Sequence, residues 1–343
     1  MSIKVISYNL LSPKLCNQSD FLNYSNPQDL DANTRKTRTI ILLENFMTTH
    51  FPKPIICLQE ISPDWKGDLE LLFMKNDYSF FTISYGILGI GIAIPNSEFH
   101  KISNVEYIHI GDLIRTNGPI YINRVEEEYR VAERVRKIRE DNISFMKKVN
   151  LFVKEYTALI PEYIREIEET IQEAKWRKNY AIRVTLEVSE KKLILYNYHM
   201  PCTFKKPIIQ FLHLSVFKRL ILKHHMVPTI FAGDFNIRPS SDEYKFFTGE
   251  KQPLESKMVY LPKEDQDDIS YQSFKMTPSP SPILPFTCHS DTRFGGLFRD
   301  TLDYIFVSNA SIKSSGALLE TIEKMPNDIC PSDHLPIYVD IDF

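Results

Sequence analysis

Residues 228–239 read Pro228-Thr-Ile-Phe-Ala-Gly-Asp-Phe-Asn-Ile-Arg-Pro239. Thr229, Ile230 and Phe231 have the apolar, branched and aromatic character of a buried strand, and Gly233 to Pro239 turn that strand into a polar segment. Asp234 and Asn236 stand two residues apart, so on an extended chain their side chains point the same way. A carboxylate can take a proton from water or hold a metal, and a neighbouring amide can orient the same water, a pairing suited to hydrolysis of a phosphate ester. An ordinary turn closed by an Asx hydrogen bond uses the same residue types.

Working outward, Pro207–His225 has apolar residues at helical spacing, with Phe211, Leu214, Phe217, Leu220 and Ile221 expected inward. Before it, Ala181–Val188 and Leu193–Tyr198 read as strands, the second running into Asn197-Tyr-His199-Met-Pro201. After the central stretch come a short helix near Ser241–Phe247 and an irregular region, about 250–285, rich in Pro, Ser and acidic residues. Strands return at Thr301–Val307 and Leu335–Asp342. Nearer the N-terminus, 3–8 is a first strand ending at Asn9, and a polar loop leads to a helix capped by Thr34 with Ile40, Ile41, Leu43 and Phe46 on one face. Pro54–Leu58 is a second apolar strand ending at Gln59-Glu60, followed by strand-like runs at Tyr78–Ile83 and Ile90–Ile94. Polar residues thus gather where strands finish, the places where α/β proteins build sites.

One segment differs. From Arg124 to Lys178 there is no glycine, charge is dense, and apolar residues recur every three or four positions, which predicts a helical insertion over 124–178. Its first part is predominantly basic and its second predominantly acidic, so a hairpin of helices with a solvated face is expected. Arg134, Arg136, Lys137 and Arg139 also offer cations for a polyanion, and the segment offers a surface for a protein partner.

Composition limits the classes. The 343 residues are 43% hydrophobic and 25% charged, with a formal net charge of −3, which suits a soluble globular protein and not a uniformly basic nucleic-acid binder. The five cysteines are widely spaced and show no zinc or disulfide pattern. No run of about 18 apolar residues occurs, so no membrane span is expected. An intracellular setting, cytoplasmic or nuclear, follows as an expectation.

Asn9, Glu60, His199, Asp234, Asn236, Asp303, Asp333 and His334 together form a set of hard ligands and imidazoles suited to Mg²⁺ or Mn²⁺. Ser7-Tyr-Asn9, Leu58-Gln-Glu60, Asn197-Tyr-His199, Gly233-Asp-Phe-Asn236, Leu302-Asp-Tyr304 and Ser332-Asp-His334 occur in an order that resembles the endonuclease/exonuclease/phosphatase superfamily, which includes deoxyribonuclease I. The sequence is most similar to its deadenylase, nocturnin and 2′-phosphodiesterase branch. The resemblance implies one domain over 1–343 with an α+β fold. That fold is a four-layer α/β/β/α sandwich of two mainly antiparallel sheets, carrying the helical insertion. It also implies roles. Glu60 holds the metal with Asn9 in support, and Asp333 assists the metal or His334. Asp234, helped by Asn236, orients the attacking water. His199 and His334, the latter held by Asp303, contact the scissile phosphate.

The expected activity is Mg²⁺-dependent hydrolysis of nucleic acid, as a 3′-exoribonuclease of deadenylase type acting on RNA or an oligonucleotide. Arg238, Phe286 and Arg293 lie near the motifs and are the expected substrate contacts, cations for phosphates and an aromatic face for a base. Two other readings stand beside it: a phosphatase or phospholipase-like hydrolase of small phosphorylated ligands or lipid head groups, and a noncatalytic interaction protein using 124–178.

Overall fold

Every second residue of β1 (Ser2–Asn9) reads Ile3, Val5, Ser7, Asn9, and this change from apolar to polar along one face recurs in each strand that reaches the site. In β2 (Ile55–Gln59) the series is Ile55, Cys57, Gln59, and in β7 (Lys191–His199) it is Leu193, Leu195, Asn197, His199. β8 (Thr229–Asp234) gives Ile230, Ala232, Asp234, while β11 (Asp303–Ser308), running the other way, gives Asp303, Ile305, Val307. Side chains two apart share a sheet face. The apolar members therefore make one core and the polar members one floor. The computed structural model describes residues 2–17, 19–22, 24, 26–96, 100–114, 168–203, 206–250, 276–280, 283–293, 295–321 and 323–342.

Two main sheets carry these faces. β1 and β2 belong to a sheet with β3 (Tyr78–Tyr85), β4 (Leu88–Pro95), β12 (Ser311–Ala317) and β13 (Ile337–Asp342), in the order β12-β13-β1-β2-β4-β3. The second sheet adds β5 (His100–His109) and β6 (Tyr180–Val188), in the order β11-β8-β7-β6-β5. A hairpin of β9 (Cys288–Thr292) and β10 (Gly296–Asp300) stands apart from both. Among the described residues, only β1–β2 and β7–β8 pair in parallel. Each main sheet thus contributes two neighbouring strands that finish at the same edge. β11 starts at that edge because it is antiparallel to β8, which puts Asp303 opposite Asp234.

Between the sheets lies a core of small branched residues, among them Val5, Ile92, Val184, Leu195, Ile230 and Val339. The outer face of the first sheet, with Ile6, Tyr8, Ile56 and Leu58, packs on α1 (Ala32–Thr49) and α2 (Pro63–Lys75) through Phe46, Trp65 and Phe73. The outer face of the second, with Tyr196, Tyr198, Phe231 and Phe306, packs on α4 (Pro207–Leu222) and α5 (Asp242–Thr248). This is the α/β/β/α sandwich expected from the resemblance. Gly233 is required where β7 and β8 close up, since a Cβ there would lie 1.9 Å from the Tyr198 carbonyl oxygen.

Several expectations shift. α1 is capped by Asp31, whose carboxylate accepts from the Thr34 amide at 2.8 Å, and not by Thr34. α4 is buried nearly all round instead of along one stripe, because α5 and a helical stretch over 168–176, here α3, cover the side away from the sheet. α2, β5, β12 and the β9–β10 hairpin lie where no element was expected. The 124–178 insertion falls outside the described residues except for its end, where α3 is helical as the spacing predicts.

α3 and α4 meet at a fully buried histidine. His213 lies 2.6 Å from the Tyr198 hydroxyl through Nδ1 and 3.0 Å from the Ala174 carbonyl through Nε2. Burial pulls its pKa down to about 4. Between that value and the ordinary imidazole range of about 6.5 the unfolded chain binds the extra proton, so stability falls as pH drops through this window. The expected loss is roughly 3 kcal/mol. Urea titrations at pH 7 and pH 4.5 check it, and His213→Gln is expected to flatten the difference.

Candidate active site

The polar floor begins with an amide that crosses the sandwich. Asn197 on β7 donates through Nδ2 to the carbonyls of Leu58 at 2.9 Å and Gly91 at 2.7 Å, and its Oδ1 accepts from Gln59 Nε2 at 2.7 Å. Gln59 also reaches Ser7 Oγ at 3.2 Å. A fully buried network of this kind fixes the separation and register of the two sheets. Asn197→Leu removes all three of these cross-sheet bonds and leaves the Gln59 amide without this acceptor, so it is expected to cost roughly 2–4 kcal/mol. The urea midpoint of the purified variant measures this.

Above that floor, Asn9 organises two carboxylates. Its Oδ1 accepts from the Leu11 amide at 2.9 Å, which turns Nδ2 toward Asp234 Oδ2 at 2.9 Å and Glu60 Oε1 at 3.2 Å. The other Glu60 oxygen accepts from the Ser12 amide at 3.1 Å. Glu60 sits just past β2 with φ +54°, a left-handed conformation unusual for a glutamate, and such outliers mark positions held by their surroundings for a purpose. His199 Nε2 faces the same pair, 3.7 Å from Glu60 Oε1 and 3.6 Å from Asp234 Oδ2.

His334 brings a second imidazole to Asp234, with Nε2 3.8 Å from the same Oδ2. Its Nδ1 is 2.7 Å from Asp303 Oδ2, and that oxygen also accepts from Thr287 Oγ1 at 2.6 Å. Thr287 in turn accepts from the amides of Leu302 and Asp303. Asp333 Oδ1 lies 3.9 Å from His334 Nε2. Ser332 fastens this loop to the first sheet by donating to the Asn9 carbonyl at 2.6 Å.

Burial and charge now act against each other. Desolvation pushes the Asp234 carboxyl up to about 6 even though His334 and His199 oppose it, with Asp303 adding to the rise. Burial also raises Asp333. For His334 burial is the largest influence and favours the neutral ring, but Asp303, Cys288, Asp333 and Asp234 together hold its pKa well above the usual imidazole range. Excess negative charge at neutral pH is what a divalent cation would offset. Glu60, His199 and Asp234 can each present a ligand atom within 4.8 Å of the others, as can Asp234, Asp303 and His334. Oxygen-rich donors of this kind fit Mg²⁺ or Mn²⁺.

The structure therefore brings together Asn9, Glu60, His199, Asp234, Asp303, Asp333 and His334. Asn236 is placed differently from the extended arrangement that its spacing predicted. It lies beyond β8 with φ +50°, its backbone amide donates to Asp234 Oδ1 at 2.9 Å, and its Nδ2 donates to the Met200 carbonyl at 2.9 Å. It forms the Asx turn and locks one Asp234 oxygen. Phe286 is 5% exposed, packs in the core and has its face covered by the Arg299 guanidinium 4.3 Å away, so it presents no open ring to a base. Arg238 pairs with Asp300 at 3.2 Å on the surface, and Arg293 is exposed.

Thr287 and Arg35 escaped the sequence reading. Arg35 on α1 is fully buried and donates to the carbonyls of Leu10, Leu11 and Pro331, tying together the loops that carry Asn9 and Asp333. Among the described residues, no helix is long and apolar enough to cross a membrane.

Comparison with known proteins gives concordant findings. The sequence pattern of the endonuclease/exonuclease/phosphatase family matches residues 6–334. Nocturnin of Rattus norvegicus and Nocturnin of Homo sapiens are each 31% identical over 123 residues, covering 34% of this chain and 25% of theirs. The match thus spans about a quarter of the length of these curated relatives. Among solved structures, ANGEL2, a 2′,3′-cyclic phosphatase in complex with adenosine-2′,3′-vanadate, superposes with a TM-score of 0.66 at 18% identity, covering 99% of this chain and 95% of that one. The human Nocturnin catalytic domain with bound sulfate gives 0.55 at 17% identity, covering 100% and 93%. Both share the fold.

Proposed function

Since this chain belongs to the endonuclease/exonuclease/phosphatase family, we propose that it hydrolyses phosphodiester bonds with a divalent metal, Mg²⁺ or Mn²⁺, and acts on RNA as a 3′-exoribonuclease of deadenylase type. One observation carries the reading. Two imidazoles, His199 and His334, flank one Asp234 oxygen at 3.6 and 3.8 Å, with Glu60 on the first side and Asp303 behind the second. That is a place for a phosphoryl group between a water-holding carboxylate and hydrogen-bond donors.

Glu60 and Asp234 would hold the metal, with Asn9 bracing both, while Asp333, 3.9 Å from His334 Nε2, would act on that imidazole. When bound, the ion supplies charge to offset that which builds on the nonbridging oxygens and the leaving oxygen. The remaining work belongs to the chain. Asp234 orients a water for in-line attack on phosphorus and accepts its proton. His334, protonated and aligned by Asp303, donates through Nε2 to a nonbridging oxygen as its charge grows, and His199 does the same from the other side. Asn236 keeps the Asp234 carboxylate from rotating. The P–O3′ bond breaks and O3′ takes a proton from solvent water, leaving the shortened RNA with a 3′ hydroxyl and releasing a nucleoside 5′-monophosphate, while Asp234 returns its proton to solvent. The substrate is expected to reach this edge past Arg238 and Arg293, in one catalytic domain spanning 1–343 within the cell.

A 5′-labelled RNA ending in oligo(A), digested with Mg²⁺ or with EDTA, tests the proposal. A ladder that shortens from the 3′ end only with metal is expected. Parallel lanes hold 2′,5′-oligoadenylate, RNA ending in a 2′,3′-cyclic phosphate, and inositol phosphates. Turnover of one of those with the oligo(A) tail intact would replace the exoribonuclease reading by a small-phosphoester one.

A further inference from the structure

Beside the site, on the His199 side, lies a cavity of about 620 Å³ lined by Tyr85, His109, Trp176, Lys178 and Tyr180, with Lys175 and Asp112 at its margin. Its volume is that of a small-ligand cleft. Tyr180 opens β6 directly across from His109 on β5, and their ring centroids are 5.0 Å apart. Tyr85, at the end of β3, continues the row with its centroid 6.3 Å from Tyr180. The row is fixed in place. His109 lies 2.9 Å from the Asp112 carboxylate through Nδ1 and 3.0 Å from the Arg177 carbonyl through Nε2, so the Asp112 charge is directed at the imidazole. The buried Tyr85 hydroxyl has no hydrogen-bond partner among the described residues.

Trp176 completes the wall from the end of α3 and is 81% exposed, more than any other described large hydrophobic residue except Phe51. Lys178 beside it is exposed as well. One link joins this cavity to the reacting groups: the Asn179 side chain donates to the His199 carbonyl at 2.8 Å.

A row of ring faces with an ammonium at its edge is the combination that binds single-stranded nucleic acid, the faces taking bases and the cation taking the backbone. We infer that this cavity is a subsite for a nucleotide beyond the two that flank the scissile phosphate, with the base against Trp176 and Tyr180 and its phosphate at Lys178. The inference rests on the RNA reading above and extends it: the enzyme would hold its substrate by stacking one or more nucleotides away from the bond it breaks.

The test separates the two claims. Trp65, 3% exposed, is the only other tryptophan, so a change in emission on adding ligand reports Trp176. The Asp234→Asn protein in Mg²⁺ is titrated with a 10-mer of oligo(A) and with AMP. Saturable quenching by the 10-mer, absent in a Trp176→Phe background and at least about 10-fold weaker with AMP, is expected. In the catalytically intact protein, Trp176→Ala and Lys178→Ala are each expected to raise KM for oligo(A) about 10-fold with kcat changed less than about 2-fold, and to leave hydrolysis of ApA unchanged. Failure of the RNA-cleavage reading appears as absent turnover in the wild type whatever the fluorescence shows. RNA cleavage with unquenched Trp176, quenching by AMP as strong as by the 10-mer, or an unchanged KM in both variants overturns the subsite while leaving cleavage in place.

Discussion

Asp234→Asn is expected to lower kcat/KM for RNA by roughly 10³-fold and to make the metal-free protein more stable at pH 7.5. The substitution keeps shape. Asn9 Nδ2 and the Asn236 amide bond to different Asp234 oxygens, both at 2.9 Å, so with the single oxygen of an amide one of them loses its acceptor, which offsets part of the gain in stability by about 1 kcal/mol. What disappears is a buried negative charge and the group that accepts a proton from water. Burial lifts the folded pKa of Asp234 to about 6 from an unfolded value of 3.8. Between those values the native state holds more protons than the unfolded one, so stability declines as pH rises through the window and stays lower above it. Removing the charge is expected to restore roughly 1–3 kcal/mol in EDTA. Urea unfolding of both proteins in EDTA, beside single-turnover cleavage in Mg²⁺, checks the pair of effects. Lost activity with lost stability would make Asp234 a structural residue, contrary to the account.

His334→Ala is the second large effect, with an expected loss of roughly 10²–10³-fold in kcat, the cost of removing one donor to a developing oxyanion. Burial by itself would leave His334 neutral. The carboxylates around it, Asp303 foremost, reverse that and hold the ring protonated above the usual imidazole range. The proton is consequently present at neutral pH and lost only as pH rises through the elevated folded value. Asp303→Asn weakens the hold. The descending limb of its pH–rate profile is expected to lie at lower pH than that of the wild type. Coincident descending limbs in the two proteins would remove Asp303 from this role.

Much of the site was legible because the chemistry sits at strand ends of a regular fold. Val5, Leu195, Ile230 and Ile305 announce strands, and Asn9, His199, Asp234 and Asp303 stop the apolar alternation at one edge. Asn236 was misplaced because a two-residue spacing implies a shared face only while the chain stays extended, and φ +50° ends that condition. Phe286 was misjudged because aromatic composition near a motif does not distinguish a base platform from a core residue; its burial against Arg299 is a tertiary fact. Thr287 and Arg35 act through backbone groups brought from far along the chain, and spacing carries no trace of such contacts. α2 did carry a local signal in Ser62-Pro63, a cap followed by proline in the first turn. β12 lies at an exposed sheet edge, where serine and lysine replace the apolar alternation that identifies interior strands.

The central claim is that Glu60 and Asp234 hold the ion that RNA hydrolysis at His199 and His334 requires. A Mn²⁺ titration of the metal-free protein reads it most directly, with bound ion followed by electron paramagnetic resonance and RNA cleavage sampled from the same tubes. Cleavage is predicted to rise in step with occupancy, and Glu60→Gln is predicted to shift both curves together to at least about 10-fold higher Mn²⁺. Cleavage that persists in EDTA, or Mn²⁺ that binds Glu60→Gln as tightly as the wild type, would contradict it.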